Sequence, residues 1–255
     1  MNKSIFTALF FVVLLQSCAS KKDILYFQDA TNYASVPVAR VNAMIQPNDI
    51  LSITVSALVP ETALPYNIQA VGNGGATPNI ETMKLQGYLV SSEGDIVFPI
   101  LGDIRVQGKT TAQLEQDLKK TLESGGHLVN PKVSIRILNA KVTVLGEVNR
   151  PGTFTFTEQY ITLPQALGYA GDLTINGKRN DILLIRESEG IRTITHLDLT
   201  TANWMNNPNY AIRQNDVLVV NPNNPKVKTA GYIANTGNVL TIASLLLSSI
   251  ILLTR

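Results

Sequence analysis

The stretch from Asn238 to Arg255 constrains this chain most, because it carries no charge until its last residue. Read with Gly231 to Gly237 in front of it, it rises roughly 35 Å as a helix, enough to cross a ~30 Å hydrocarbon core. At about 100° per residue, Ala234, Gly237, Thr241, Ser244 and Ser248 share one side, while Leu240, Leu246, Leu247, Ile250 and Leu253 spread over the rest. A small, hydroxylated stripe lets helices approach and bond to one another, or faces water in a pore. A lone anchor whose Ser and Thr bond back to their own backbone gives the same pattern, so both readings stand at this stage. A buried core helix would need a large partner surface at the extreme terminus.

The amino end makes the opposite kind of apolar run. Met1 to Ser17 has a short polar start with Lys3, then Ile5 to Leu15 broken only by Thr7. This is a secretory signal, too short to span a membrane. It ends in Leu15-Gln16-Ser17-Cys18, followed by Ala19-Ser20, and Cys18 is the only cysteine. That junction resembles a bacterial lipobox, in which the peptide is cut before the cysteine and Cys18 takes the lipid. Several acyl chains anchor firmly where one does so marginally. Ala19, rather than Asp, resembles lipoproteins passed on to the outer membrane, so the main body is expected in the periplasm.

The composition excludes several functions. With 21 basic against 19 acidic residues there is no global field to attract nucleic acid. One cysteine rules out an internal disulfide and a multi-thiolate metal site. His127 and His196 lie far apart without ligand spacing, and no metal or cofactor is expected.

Between the ends the chain reads as two units. Residues 18–43 form a leader whose Tyr26-Phe27 pair is expected to dock on the first unit, 44–138. There the turn Gln46-Pro47-Asn48-Asp49 launches a strand over 50–56. Residues 60–83, rich in Gly, Asn, Pro and Thr, read as a long loop. The strands 87–90 and 95–99 read as a hairpin around Ser91-Ser92-Glu93-Gly94. Thr110 to Gln113 offers a capping box to a helix with Leu114, Leu118 and Leu122 on one face, stopped by Gly125-Gly126. A further strand covers Val133, Ile135 and Ile137. The second unit, 139–222, opens with a hairpin turning at Asn149-Arg150-Pro151-Gly152. It continues with a short helix capped by Thr162, strands over 181–186 and 191–197, and a closing strand over 216–220. A polar linker, 223–237, leads to the terminal helix, 238–255.

One internal echo stands out. Ile45-Gln46-Pro47-Asn48-Asp49-Ile50-Leu51 matches Ile212-Arg213-Gln214-Asn215-Asp216-Val217-Leu218 at four identical positions and one conservative position. Both place Asn-Asp in the turn before a strand, where Asx side chains bond the backbone. Two strand entries can also coincide by chance.

The motifs together resemble the bacterial outer-membrane polysaccharide export proteins. Gln46 to Ile53, Val90 to Gly102 and Gly108-Lys109-Thr110-Thr111 are similar to that family's export domain. Val142 to Phe154 and the helix ending Ala170-Gly171 are similar to its β-grasp-like soluble-ligand-binding (SLBB) domain. The resemblance implies an α+β fold, an export domain followed by an SLBB domain, with a C-terminal transmembrane helix. It further implies a lipid-anchored, octamer-like homo-oligomeric ring whose terminal helices build a pore for exported polysaccharide. An inner-membrane chain-length determinant or tyrosine kinase is the implied energy-supplying partner. Thr241, Ser244 and Ser248 would then form the pore-facing or helix-packing face. The competing reading is a doubly anchored periplasmic lipoprotein that binds glycan without forming a pore.

No catalytic machinery is evident. The chain has no His-Glu-x-x-His, no P-loop and no supported Ser/His/Asp set. Glu93 and Asp95 could share a strand face roughly 7 Å apart as a glycosidase pair, but Ser92-Glu93-Gly94-Asp95 is turn chemistry. The expectation is a conduit, not an enzyme.

Overall fold

A computed structural model describes residues 24–33, 37, 44–68, 79–188 and 190–229, together with 237, 241, 244, 245, 248, 249 and 252. Two hydrophobic cores organise them, one in each unit expected from the sequence.

The first core lies under a three-stranded antiparallel sheet ordered β2-β1-β5: β1 (Ile50–Ser56), β2 (Tyr88–Leu89) and β5 (Lys132–Ile137). Leu51, Ile53 and Val55 of β1 point inward at two-residue spacing, as a sheet with one covered face requires. Helix α3 (Thr111–Ser124) packs against β5 and buries Leu114, Leu118 and Leu122. Each of these leucines contributes about 1.5–3 kcal/mol by leaving water. Both halves of its capping box form: Thr110 accepts from the Gln113 amide at 3.1 Å, and Gln113 accepts from the Thr110 amide at 2.8 Å.

Two local expectations need correction here. The turn at 91–94 exists, with the Gly94 amide donating to Ser91 O at 3.0 Å, but its flanking strands do not pair with each other. β2 pairs with β1, while β3 (Asp95–Phe98) pairs with β4 (Gly102–Arg105). Gly102, at φ 76°, permits the tight reversal between β3 and β4, and Ile100 within it is held at φ 67°. The supposed loop over 60–83 contains helix α1 (Pro60–Ala63), a 3₁₀ turn (Leu64–Tyr66) and helix α2 (Ile80–Leu85). Pro60 in the first turn of α1 and the Asn79–Thr82 capping box of α2 are start signals that the Gly-rich composition obscured.

The second unit is a five-stranded mixed sheet ordered β10-β9-β12-β6-β7. Its strands are β6 (Lys141–Gly146), β7 (Gly152–Thr155), β9 (Gly177–Ser188), β10 (Ile191–Leu197) and β12 (Val217–Pro222). β6 and β12 run parallel at its centre, and the other pairs are antiparallel. A small ladder joins β8 (Ile161–Thr162) to β11 (Ala211–Ile212). Helix α4 (Leu163–Tyr169), capped by Thr162, buries Leu163, Ala166 and Leu167 in the same core as Val142, Val144, Ile182, Leu184 and Leu218. The opposite face carries Leu183, Ile185, Val217 and Val219, half-buried, with Leu145 and Ile194 exposed.

The leader docks on the second unit, not on the first as its position in sequence suggests. The Phe27 and Gln28 amides donate to Leu199 O at 3.2 Å and Thr200 O at 2.7 Å. The Phe27 ring lies 5.7 Å from Trp204, and Arg179 sits over Tyr26 at 5.2 Å. Sequence adjacency loses to an aromatic cavity far along the chain, because burying two rings outweighs a short connection.

After β12, helix α5 (Asn224–Thr229) opens the segment read as linker. Among the described residues no helix is long and apolar enough to cross a membrane. Most of the expected transmembrane helix, 238–255, lies outside them, as do the signal peptide and Cys18.

Candidate functional site

The two echo turns meet face to face where the units join. Each has the same local build. The Gln46 amide donates to Asp49 Oδ2 at 2.7 Å, and the Arg213 amide to Asp216 Oδ2 at 2.7 Å. Asn48 at φ 68° and Asn215 at φ 64° occupy the left-handed position between them, which Asn tolerates. Across the junction, Gln214 Nε2 donates to Asp49 Oδ2 at 2.6 Å and to Met44 O at 3.0 Å, while Asn215 Nδ2 donates to Gln46 Oε1 at 3.1 Å. Asn139 bridges within the first turn, accepting from the Ile50 amide at 2.9 Å and donating to Asn48 O at 2.8 Å.

The two aspartates differ in charge compensation. Arg186 grips Asp216 through Nε at 2.9 Å and Nη2 at 2.6 Å, and also donates to Asn209 and Ala211 O. Burial pushes the Asp216 carboxyl up and the guanidinium pulls it back. Burial also lowers the Arg213 guanidinium, helped by the charge of Arg186. Asp49 is as deeply buried but among the described residues has only amide donors, and burial pushes its carboxyl up to about 6.

Beside this junction a cleft of about 830 Å³ opens between the units. Gln46, Asn48 and Gln107 line it on the first unit; Ile185 and Val217 line it on the second, with Lys141 and the Glu187–Arg192 pair at its sides. The histidines stand elsewhere. His127 contacts the Tyr66 hydroxyl at 3.2 Å, and His196 contacts Asp181 on the exposed strand β10. Among the described residues no group of three or more His, Cys, Asp or Glu is placed to hold a metal. Glu93 is exposed and bonded to Ser92 at 2.9 Å, which holds its carboxyl low, and Asp95 faces Arg105 at 3.5 Å.

The pattern found in two places agrees with comparison to known families. Residues 38–138 match the polysaccharide biosynthesis/export protein family and residues 141–194 match the SLBB domain. The chain therefore carries an export domain over 38–138 followed by an SLBB domain that matches over 141–194. Among curated proteins it is 27% identical over 201 residues to the EPS I polysaccharide export outer membrane protein EpsA of Ralstonia solanacearum, covering 77% of this chain and 52% of that one. The EpsA of Ralstonia nicotianae is 33% identical over 152 residues, 56% of this chain and 38% of that one. The capsule polysaccharide export outer membrane protein CtrA of Neisseria meningitidis is 26% identical over 193 residues, 74% of this chain and 46% of its own. The chain thus spans about half or less of the length of these relatives, whose names describe export proteins and not enzymes.

None of the sequence-predicted site residues is among those that build the junction. Thr241, Ser244 and Ser248 are helical and exposed, and their hydroxyls donate to Gly237 O, Thr241 O and Ser244 O at 2.7–2.8 Å. Ser249, outside the predicted stripe, donates to Leu245 O at 2.8 Å. Each hydroxyl keeps its oxygen lone pairs free to accept. The junction residues Gln214, Arg186 and Asp216 carried no functional signal in the sequence beyond the echo.

At the other end of the SLBB domain two chain segments converge. Tyr26 Oη donates to Asp172 Oδ1 at 2.7 Å, and burial together with that carboxylate pushes the phenol above its ordinary range. A few residues on, the Asn223 amide donates to Asn176 O at 2.7 Å and its side chain to Ile175 O at 3.2 Å. Tyr26 of the leader and Asn223 just after β12 therefore attach to the same bend of the SLBB domain, Asp172 to Asn176.

Proposed function

We propose that this chain is a subunit of an outer-membrane channel that exports capsular or extracellular polysaccharide. The observation that carries the reading is the pairing of an export domain with an SLBB domain in one chain, shared with relatives named as outer-membrane polysaccharide exporters. The convergence at Asp172 and Asn176 supports it: a lipid on Cys18 and a terminal helix over 238–255 would hold one membrane from one end of the SLBB domain. The export domain would then project away from that membrane into the periplasm. Subunits would assemble as a ring, with Thr241, Ser244 and Ser248 on the inner or helix-packing face of a helical barrel. The back-bonded hydroxyls suit that face, since they meet no unsatisfied donor cost in lipid and still accept from water or a neighbour. Polymer would be driven by an inner-membrane chain-length or kinase partner.

The test is particle imaging of the full-length protein extracted in detergent, beside a form ending at Asn224, with surface polymer measured in cells carrying each. Closed rings with a membrane-embedded barrel, and surface polymer lost together with that barrel, are the expected result. Single subunits in both preparations with surface polymer retained would sink the channel and leave a doubly anchored glycan-binding lipoprotein.

A further inference from the structure

We infer that the cleft between the export and SLBB domains is a saccharide-contact site for an acidic glycan chain; this rests on the export reading above and assigns it a place on the molecule. The cleft, about 830 Å³, has the size of a site for a short oligomer and lies at a domain junction, where such sites concentrate. Its chemistry is divided by side. The first domain contributes the carboxamides of Gln46, Asn48 and Gln107. A carboxamide both donates and accepts, and so matches the paired hydroxyls of a sugar better than a charged group does. Of these, Gln46 and Gln107 each spend their oxygen on an internal bond, to Asn215 at 3.1 Å and Arg105 at 2.9 Å. That fixes their orientation and turns the NH₂ ends toward use as donors.

The second domain contributes an aliphatic floor, Ile185 and Val217, on the uncovered face of its sheet. Apolar contact there suits the C–H face of a pyranose. Charge selects further. Arg192 donates to Glu187 at 2.6 Å and is compensated by it, whereas Lys141 has no ion-pair partner among the described residues. One cation of the second domain, unpaired among the described residues, beside the carboxamides of the first favours a glycan that carries carboxylates. Among the described residues no aromatic ring lines the cleft to stack on a sugar. Binding is therefore weak, and a transit site has to be weak: a segment must enter and also leave.

The experiment uses the full-length protein in detergent with methyl-labelled isoleucines, titrated by NMR with a hexamer of galacturonate and separately with maltohexaose. The Ile185 methyl signal, on the cleft floor, is expected to shift with both sugars, while Ile161 in the SLBB core stays still. The dissociation constant for the acidic hexamer is expected on the order of 1 mM. Lys141→Gln is expected to weaken the acidic hexamer about fivefold and maltohexaose less than about twofold, the scale of one solvent-exposed charge. The inference is overturned if neither sugar moves Ile185, or if sugars move signals only around Trp204. It is equally overturned if Ile185 responds to protein dilution and not to sugar, which would make the cleft a subunit contact. Surface polymer in a strain lacking the protein separates this from the export reading: polymer lost without Ile185 shifts refutes the cleft alone, and polymer retained refutes the channel.

Discussion

Replacing Asp49 by asparagine should change how the stability of this protein depends on pH, in a direction fixed by the junction. Asp49 is 2% exposed and, among the described residues, accepts only from the Gln46 amide and from Gln214 Nε2, with no cation in contact. Burial lifts its carboxyl from 3.8 to about 6. A raised acid binds its proton more tightly in the folded state, so stability is greatest below the unfolded value. It falls as pH climbs from about 4 through about 6, then levels. A rise of that size corresponds to ~3 kcal/mol as an upper bound. The Asp49→Asn side chain keeps the shape and, with its oxygen at the Oδ2 position, both accepted bonds, without the charge. At pH 4 the variant and the parent should melt together. At pH 8 the variant should melt higher, by about 5–10 °C for a chain of this size. Thermal melts of the full-length protein in detergent, read as the difference between variant and parent at each pH, cancel the other titrating groups. Two curves that stay parallel from pH 4 to pH 8 would refute the claim that Asp49 is buried as an uncompensated carboxyl.

Other positions give sharper losses. Arg186→Met leaves the Asp216 carboxylate buried without its fork, and should lower the unfolding free energy in urea by about 3–5 kcal/mol at pH 7. Gly146→Ala places a methyl 2.0 Å from Val220 O at φ 88°, so the parallel β6–β12 pairing cannot close and folded protein should be lost. Gly190→Ala, at φ 77° in open space, should cost only about 1 kcal/mol in the same urea titration. Phe27→Ala removes the ring on Trp204, and exchange of the backbone amides at positions 27 and 28 should speed about tenfold while α3 amides are unchanged.

What the sequence disclosed was what short-range chemistry encodes. The Thr110–Gln113 box and the cap at Thr162 announced helices that form with those caps in place. The alternation at Leu51, Ile53 and Val55 announced a half-buried strand. Partner choice was hidden, because residues 87–90 carry the same strand signal whether they pair with β3 or with β1. Docking of Tyr26 and Phe27 was hidden for a related reason: Trp204 and Asp172 are about 150–180 residues away, and no local pattern marks a ring as their guest. Asp216 was legible as the residue that launches a strand, and illegible as the anion that Arg186 must neutralise. The cleft belongs to neither domain alone, so its lining appears in the sequence only as scattered amides.

The leader's route gives the echo turns a larger role than starting strands. Because Tyr26 to Asp29 attaches to the SLBB domain, the export domain sits in sequence between two stretches of that unit. Its placement depends on the connections before Met44 and after Leu138, on Ile137, which touches both cores, and on the contact of the two turns. Covalent connections limit distance but not angle. The angle is set by Gln214 on Asp49 and Asn215 on Gln46, side chains already committed to near-identical turns. A substitution at either turn therefore perturbs a strand entry and the angle between domains together. Asp49→Asn is the change that keeps the turn and alters only its charge, which is why its effect should be confined to pH.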